Sequence, residues 1–258
     1  MDLDIAGLKV IVTAGAGGIG LEITRAFLKE GARVEVCDVD EAALDALTDT
    51  APGAVGAVCD VSDRAAVQRF MDAALSRLDG LDVLVNNAGI AGPTGRVDQI
   101  APEDWDRTLA VDITGHFNVT RLAVPALKES TNASIIGLSS AAGRFGFPLR
   151  SPYAAAKWGV VGFIKSLAME LGPFGIRANA ILPGSVDGPR IRSVFSNKAR
   201  ERNLSMEEVQ AMALSATSLK QLIPPQHLAN MAVFLASPLG SSISGQAIAV
   251  DGDLQMLV

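Results

Sequence analysis

A doubly wound α/β domain, built on a parallel sheet of about seven strands, is the fold this sequence predicts. Three observations carry it. Short β-branched runs alternate with longer helical patterns along the whole chain. The strand-like runs are continuously apolar, as strands covered on both faces are. A glycine-rich turn joins the first strand to the first helix. Right-handed crossovers between parallel strands then place helices on both faces of the sheet.

The elements follow in order. LKVIVT (8–13) reads as a buried strand, and a helix runs from about Gly18 to Lys29. RVEVC (33–37) is the second strand, followed by an Ala/Leu helix. VGAVC (55–59), DVLVN (82–86), ASIIGLS (133–139) and IRANAIL (176–182) supply four more, and AIAV (247–250) a seventh. The segment 184–209 interrupts this rhythm and is the least regular part of the chain. Ser205 and Glu208 have capping-box spacing and open a helix within it. An insertion there reads as a substrate lid over about 184–215. With no repeat or linker, residues 1–258 read as one domain.

Composition narrows the function. The net charge of −6 lacks the basic footprint of a nucleic-acid binder. Cys37 and Cys59 follow strand-like runs without CxxC or metal-ligand spacing, which predicts buried free thiols in a reducing compartment. His116 and His227 are too scattered for a metal site, so no metal is expected. MDLDIAG at the N-terminus has no basic region of a signal peptide, and no apolar run reaches the ~18 residues of a span. The expectation is a cytoplasmic protein, not on a membrane, acting on a small molecule.

Two stretches carry chemistry. VTAGAGGIG (12–20) places Gly15, Gly17, Gly18, Ile19 and Gly20 where backbone N–H groups can approach a pyrophosphate at a helix N-terminus. Asp38 ends the second strand about 20 residues on, where a carboxylate accepts from an adenosine ribose. It would repel a 2′-phosphate, and neighbouring Gly17 and Val39 supply no cation, so NAD is expected over NADP. In SPYAAAKWG (151–159), three alanines favour helix and put Tyr153 and Lys157 on one face. A cation beside a phenol favours the phenolate, fitting Tyr153 for proton transfer near neutral pH.

The chain resembles the short-chain dehydrogenase/reductase family in its single-domain Tyr-x-x-x-Lys form. The resemblance covers essentially the whole sequence. It rests on the glycine turn, CDV (59–61), NNAG (86–89), SS (139–140), YAAAK (153–157) and PG (183–184), in that order. It implies a Rossmann fold and hydride transfer between nicotinamide and a secondary alcohol or ketone. Asp60 and Val61 would flank the adenine, Asn87, Ala88 and Gly89 the riboses, and Pro183, Gly184 and Val186 the nicotinamide. Ser140, rather than Ser139, would hydrogen-bond the substrate oxygen. Tyr153 would exchange its proton, and Lys157 would hold the nicotinamide ribose. The family also implies a homotetramer or homodimer, and WGVVGFIKSLAMEL (158–171) is apolar on more than one face, as an interface helix would be.

Departures from the family pattern are informative. Ala14 stands where a glycine is usual and would be strained at positive φ, unless Gly15 lets the turn re-form. Asp112, in a helix through VDITGHF, replaces an asparagine whose main-chain carbonyl holds a relay water, and is carried as a candidate catalytic residue. Gly188 replaces a threonine, and Asp253 a glycine. Arg144, Arg150, Arg190 and Arg192 cluster in sequence around the substrate end; arginine binds carboxylates, which makes a hydroxy acid or sugar acid a candidate substrate. Two other readings stand beside the dehydrogenase. One is an NAD(H)-binding redox sensor or scaffold. The other, within the family, is a 3-oxoacyl-carrier-protein reductase.

Overall fold

The computed structural model describes residues 3–257. All seven strands form, each within two residues of its expected ends: β1 (Lys9–Thr13), β2 (Arg33–Asp38), β3 (Val55–Val58), β4 (Val83–Asn86), β5 (Ser134–Leu138), β6 (Arg177–Pro183) and β7 (Ala247–Val250). They make one parallel sheet in the order β3-β2-β1-β4-β5-β6-β7. The chain winds outward one way from β1 and the other way from β4. A crevice therefore opens at the carboxyl ends of these two strands, where sheets of this type bind ligands.

The helices are α1 (Gly18–Lys29), α2 (Glu41–Asp45), α3 (Leu47–Thr50), α4 (Arg64–Leu78), α5 (Pro102–Leu109), α6 (Gly115–Leu127), α7 (Ser151–Leu171), α8 (Pro189–Arg202), α9 (Met206–Ser215) and α10 (Pro225–Ala236). One sheet face packs on α1 and α10 through Val10, Val12, Ile23, Phe27, Leu228 and Val233. The other packs on α4, α6 and α7 through Ile11, Leu84, Ile135, Phe70, Val119 and Ile164. β1, β4, β5 and β6 are thus apolar on both sides, and their near-continuous apolar runs follow from that double cover.

Two expectations are corrected. The chain through VDITGHF is not plain α-helix: Ala110–Thr114 form a π-helical turn between α5 and α6. Asp112 lies in this wider turn, a device frequent at functional sites. The 184–209 region is also more regular than its sequence suggested. Gly188 and Pro189 start α8, and Ser205 and Glu208 form the expected capping box on α9. Ile191, Phe195 and Ala199 lie on one face of α8 and close a small core with Val209 of α9. Among the described residues no helix is long and apolar enough to cross a membrane.

Candidate active site

The crevice is built first from backbone. The Thr13 hydroxyl accepts from Asn87 N (3.0 Å) and Ala88 N (2.9 Å), tying the ends of β1 and β4. The Asn87 amide in turn donates to the carbonyls of Thr13 and Ala14, both at 3.0 Å. Ala14 takes φ +50°, the left-handed region that costs a residue with a Cβ ~1–2 kcal/mol. Gly15 does not relieve it. Its role is close packing, since a Cβ there would lie 2.7 Å from the Val36 side chain. Gly20 is stricter: its Cβ would sit 2.0 Å from the Ala14 carbonyl oxygen.

Beyond this frame, Gly17 and Gly18 have nothing within 4 Å of where a Cβ would stand, and α1 starts beside them without a side-chain cap, with Ile19 half-buried in its first turn. Unpaired helix N–H groups next to open space fit an anionic diphosphate. Asp38 is locked in place at the end of β2. One carboxylate oxygen accepts from Ala16 N (3.2 Å), the other from Val39 N (2.8 Å) and Asp40 N (3.2 Å). Asp60 accepts from both the amide and hydroxyl of Ser62 and pairs with Arg107 at 2.9 Å. Burial opposes its charge, but these donors outweigh it and hold the carboxyl below its ordinary range. Val61 is buried, packing where Gly115 leaves room.

At the far end, Gly184 lies against the Asp251 backbone, where a Cβ would be 2.8 Å from Cα. Its amide donates to Val250 at 3.2 Å, extending buried Pro183. Val186 pairs with Ile223 just outside the sheet.

The polar cluster stands between these ends. Tyr153 and Lys157 are one turn apart on α7, with the ammonium 5.6 Å from the ring centroid. Lys157 is buried, donating to the Leu138 carbonyl (3.1 Å) and lying 3.5 Å from Asp112 Oδ2. The other Asp112 oxygen accepts from Ile90 N at 2.7 Å. Gly89 makes room for this pair: a Cβ there would be 3.0 Å from the lysine nitrogen. The two serines after β5 part company. Ser139 is buried and donates to the Lys157 carbonyl (2.7 Å), whereas Ser140 caps the short turn 141–143 and is half-buried. Ser140 is therefore the serine that remains open to the crevice.

His116 lies one turn beyond Asp112 and fully buried; its ring nears the Ala88 carbonyl without a well-formed hydrogen bond at either nitrogen. Burial, reinforced by the Lys157 charge, lowers its pKa to about 3.

A family profile described as enoyl-(acyl carrier protein) reductase, from the short-chain dehydrogenase group, matches residues 14–254. The chain belongs to the short-chain dehydrogenase/reductase family. Among its relatives, the 3-oxoacyl-[acyl-carrier-protein] reductase of Thermotoga maritima is 36% identical, over 97% of this chain and 98% of that one. The D-beta-hydroxybutyrate dehydrogenase of Cupriavidus necator is 34% identical, over 95% and 97%. An actinorhodin polyketide ketoreductase with NADPH superposes with TM-score 0.90 at 34% identity, covering 95% of this chain and 96% of that one. NAD+-bound xylitol dehydrogenase gives 0.92 at 24% identity, covering 96% and 99%, a likeness of fold. The chain is thus a short-chain oxidoreductase acting on alcohol or ketone groups, with a site for a nicotinamide cofactor.

Within this oxidoreductase the four arginines separate. Arg144 pairs with Asp251 (2.6 Å) and the Leu254 carbonyl, securing the C-terminal segment. Arg192 pairs with Asp187 at 2.8 Å in an exposed bridge. Arg190 is exposed and donates to the Gly89 carbonyl at 2.7 Å. Arg150 is buried at 2% exposure, with its Cζ 5.2 Å from the Tyr153 ring. A fifth cation, Lys198 of α8, is also buried and was not singled out from sequence. Its signal was there: a lysine three residues after Phe195, on the apolar stripe of α8. A cleft of about 440 Å³ is lined by Phe145–Pro148 and the tail residues Met256 and Leu257. Its Phe147 ring lies 6.4 Å from that of Tyr153, edge-on, where the cleft adjoins the polar cluster.

Proposed function

We propose that this protein is an NAD-dependent dehydrogenase/reductase of secondary alcohols and ketones, with a hydroxy acid or sugar acid as substrate. One observation carries the reading: Tyr153 and Lys157 share a helix face, with Ser140 opening into the same crevice. The residues that would hold NAD are Gly15, Gly17, Gly18, Ile19 and Gly20 at the diphosphate, Asp38 at the adenosine ribose, and Asp60 and Val61 at the adenine. Asn87, Ala88, Gly89, Pro183, Gly184 and Val186 complete its site. The nicotinamide supplies or accepts the hydride.

Ser140 donates to the substrate oxygen and orients it. Tyr153 takes the hydroxyl proton in oxidation and returns it in reduction. The Lys157 ammonium favours the negative charge that develops on the phenol oxygen, and its donors reach the nicotinamide ribose. Asp112 anchors that lysine and the Ile90 amide together. Asp38 supports NAD over NADP, because its fixed carboxylate stands where a 2′-phosphate would bring two further negative charges. Buried free Cys37 and Cys59 fit a reducing, cytoplasmic setting. Exposed Trp158 and Met169 on α7 and Phe117 on α6 support a homodimer or homotetramer through these helices.

The test is NADH formation from NAD, with NADP in parallel, across hydroxy acids, sugar acids, polyols and simple secondary alcohols. Turnover with NAD that disappears in Tyr153→Phe is the expected result. Tight NADH binding without turnover would favour the redox-sensor reading. Preferred reduction of a thioester with NADPH would favour the acyl-carrier-protein reductase.

A further inference from the structure

The segment that joins Ser140 to Tyr153 is also a wall. Phe145, Gly146, Phe147 and Pro148 form one side of the cleft of about 440 Å³, and Met256 and Leu257 the other. None of these six residues has a charge, a hydroxyl or an amide in its side chain. A concave apolar lining of this volume is of the kind that takes small molecules.

Both walls are fixed by the fold. Arg144, just before the loop, donates to Asp251 at 2.6 Å and to the Leu254 carbonyl at 2.9 Å, which ties the loop to the tail. Thr217 and Leu254 form an antiparallel bridge, and Gln255 N donates to the Ala216 carbonyl at 2.8 Å. These contacts set the direction in which Met256 and Leu257 leave. At the other end of the loop, Leu149 takes φ +65°, an outlier for a bulky side chain, and its carbonyl accepts from Gly95 N at 2.9 Å. Such strain persists where the surroundings over-determine it, and it concentrates at functional sites. Cations outside the lining steady the two rings, Arg144 over Phe145 at 4.6 Å and Lys198 over Phe147 at 4.3 Å.

The space between the walls is clear. A Cβ on Gly146 would meet nothing within 4 Å, and its backbone is not in the left-handed region that requires glycine. Opposite, Met256 is 56% exposed, an unbranched apolar side chain that fits its shape to what it touches. Apolar surface gathered in one concave place marks a contact site, as scattered residues do not. What adjoins the cleft decides its occupant. Phe147 meets Tyr153 edge-on, with centroids 6.4 Å apart, so a group seated against Phe147 lies beside the phenol assigned the proton transfer.

We propose that this cleft binds a hydrocarbon arm on the carbinol or carbonyl carbon of the substrate, and that the enzyme selects substrates by the length of that arm. The proposal rests on the oxidoreductase reading above. Of the two acid classes named there it favours hydroxy acids, because the hydroxyls of a sugar acid would be buried against side chains that offer them no partner. Each methylene that enters is expected to raise kcat/KM about fourfold until the cleft is filled.

The experiment measures kcat/KM with NAD along two series: 2-butanol, 2-hexanol and 2-octanol, and 3-hydroxybutyrate, 3-hydroxyhexanoate and 3-hydroxyoctanoate. In whichever series turns over, the eight-carbon member should exceed the four-carbon one by about 30-fold or more in wild type. Gly146→Leu, which fills the cleft, and Met256→Gln, which makes its tail wall polar, should each cut that ratio at least about fivefold. A merely structural defect would lower both members alike and leave the ratio in place, and melting temperatures check the fold. A flat series in wild type, or equal losses on long and short members, would overturn the apolar site. Loss of an oligomer in Met256→Gln by sedimentation, with the ratio unchanged, would assign the cleft to a second copy of the chain and overturn it too. If short alcohols turn over and Tyr153→Phe abolishes it, the oxidoreductase reading survives that failure. If nothing turns over, calorimetry of 2-octanone against 2-butanone with NADH present decides: tighter octanone binding that is lost in Gly146→Leu upholds the site, and any other result overturns it.

Discussion

The two ends of the crevice are finished to different degrees. At the nucleotide end nearly every polar group has a partner within the chain: Asp38 holds three amides, Asn87 spans two carbonyls, and Thr13 Oγ1 receives two N–H groups. At the substrate end Arg150 Nε, Ser151 Oγ and both His116 nitrogens are buried without hydrogen-bond partners, and Asp112 Oδ2 has only the Lys157 ammonium at 3.5 Å. Buried polar atoms left this way are destabilising by ~1–3 kcal/mol each. The contrast teaches that the end proposed for the dinucleotide is preformed by folding, while the end proposed for the substrate keeps buried donors in reserve.

The largest effect should separate the ends by activity. Tyr153→Phe is expected to lower kcat by about 10³-fold or more, within the range for a lost general acid–base, while NADH fluorescence titration gives an affinity close to wild type. A matching loss of NADH affinity would break the comparison, because the phenol would then belong to both ends.

Asp38→Ser should act in the opposite way. Removing the carboxylate is expected to move the NADP/NAD ratio of kcat/KM toward NADP by about 10–100-fold. Its readout is parallel kinetics with both cofactors on one substrate.

His116 tests the unfinished end by stability. Its folded pKa is about 3 against ~6.5 unfolded, so between these values the unfolded chain binds the extra proton. The stability that this neutral histidine contributes is complete above pH 6.5 and is lost as pH falls toward 3. At pH 5 the loss is about 2 kcal/mol relative to pH 8. A His116→Leu variant should show a shallower fall in denaturation midpoint between pH 8 and 5. Equal slopes would mean the histidine is already partnered.

The smallest effects concern the departures from the family pattern. Asp112→Asn should leave kcat within about tenfold, roughly 1.4 kcal/mol, since the Ile90 contact needs only an acceptor. A loss of several hundredfold would show that the acid itself is used. Ala14→Gly should stabilise the protein by about 1 kcal/mol in chemical denaturation, because only the Cβ opposes φ +50° there.

How much of this could be read beforehand differs by region for the same physical reason. Strands buried on both faces announce themselves as apolar runs, as β1, β4, β5 and β6 do, while the largely exposed edge strands β3 and β7 were legible from their place in the strand–helix alternation. Ala14 too was legible: the residue type conflicts with the backbone angle the turn needs. The π-helical turn at 110–114 was not, because it depends on Asp112 reaching the Ile90 amide across the chain. Nor could sequence divide the arginines. Arg144 is claimed by Asp251, 107 residues away, and only folding decides which cation is claimed and which is left. Lys198 hid in a segment whose polarity masked two helices.

Those two helices bring a thermodynamic consequence. Because α8 and α9 close on Phe195, Ala199 and Val209, and Ser205 with Glu208 fixes their junction, the segment proposed as a substrate lid is a pre-assembled plate and not a loop awaiting order. A substrate that engages it has rigid-body freedom to quench, with little backbone disorder left to remove. Binding should therefore carry a small entropic penalty and a heat-capacity change set by the apolar surface under the plate, not by helix formation.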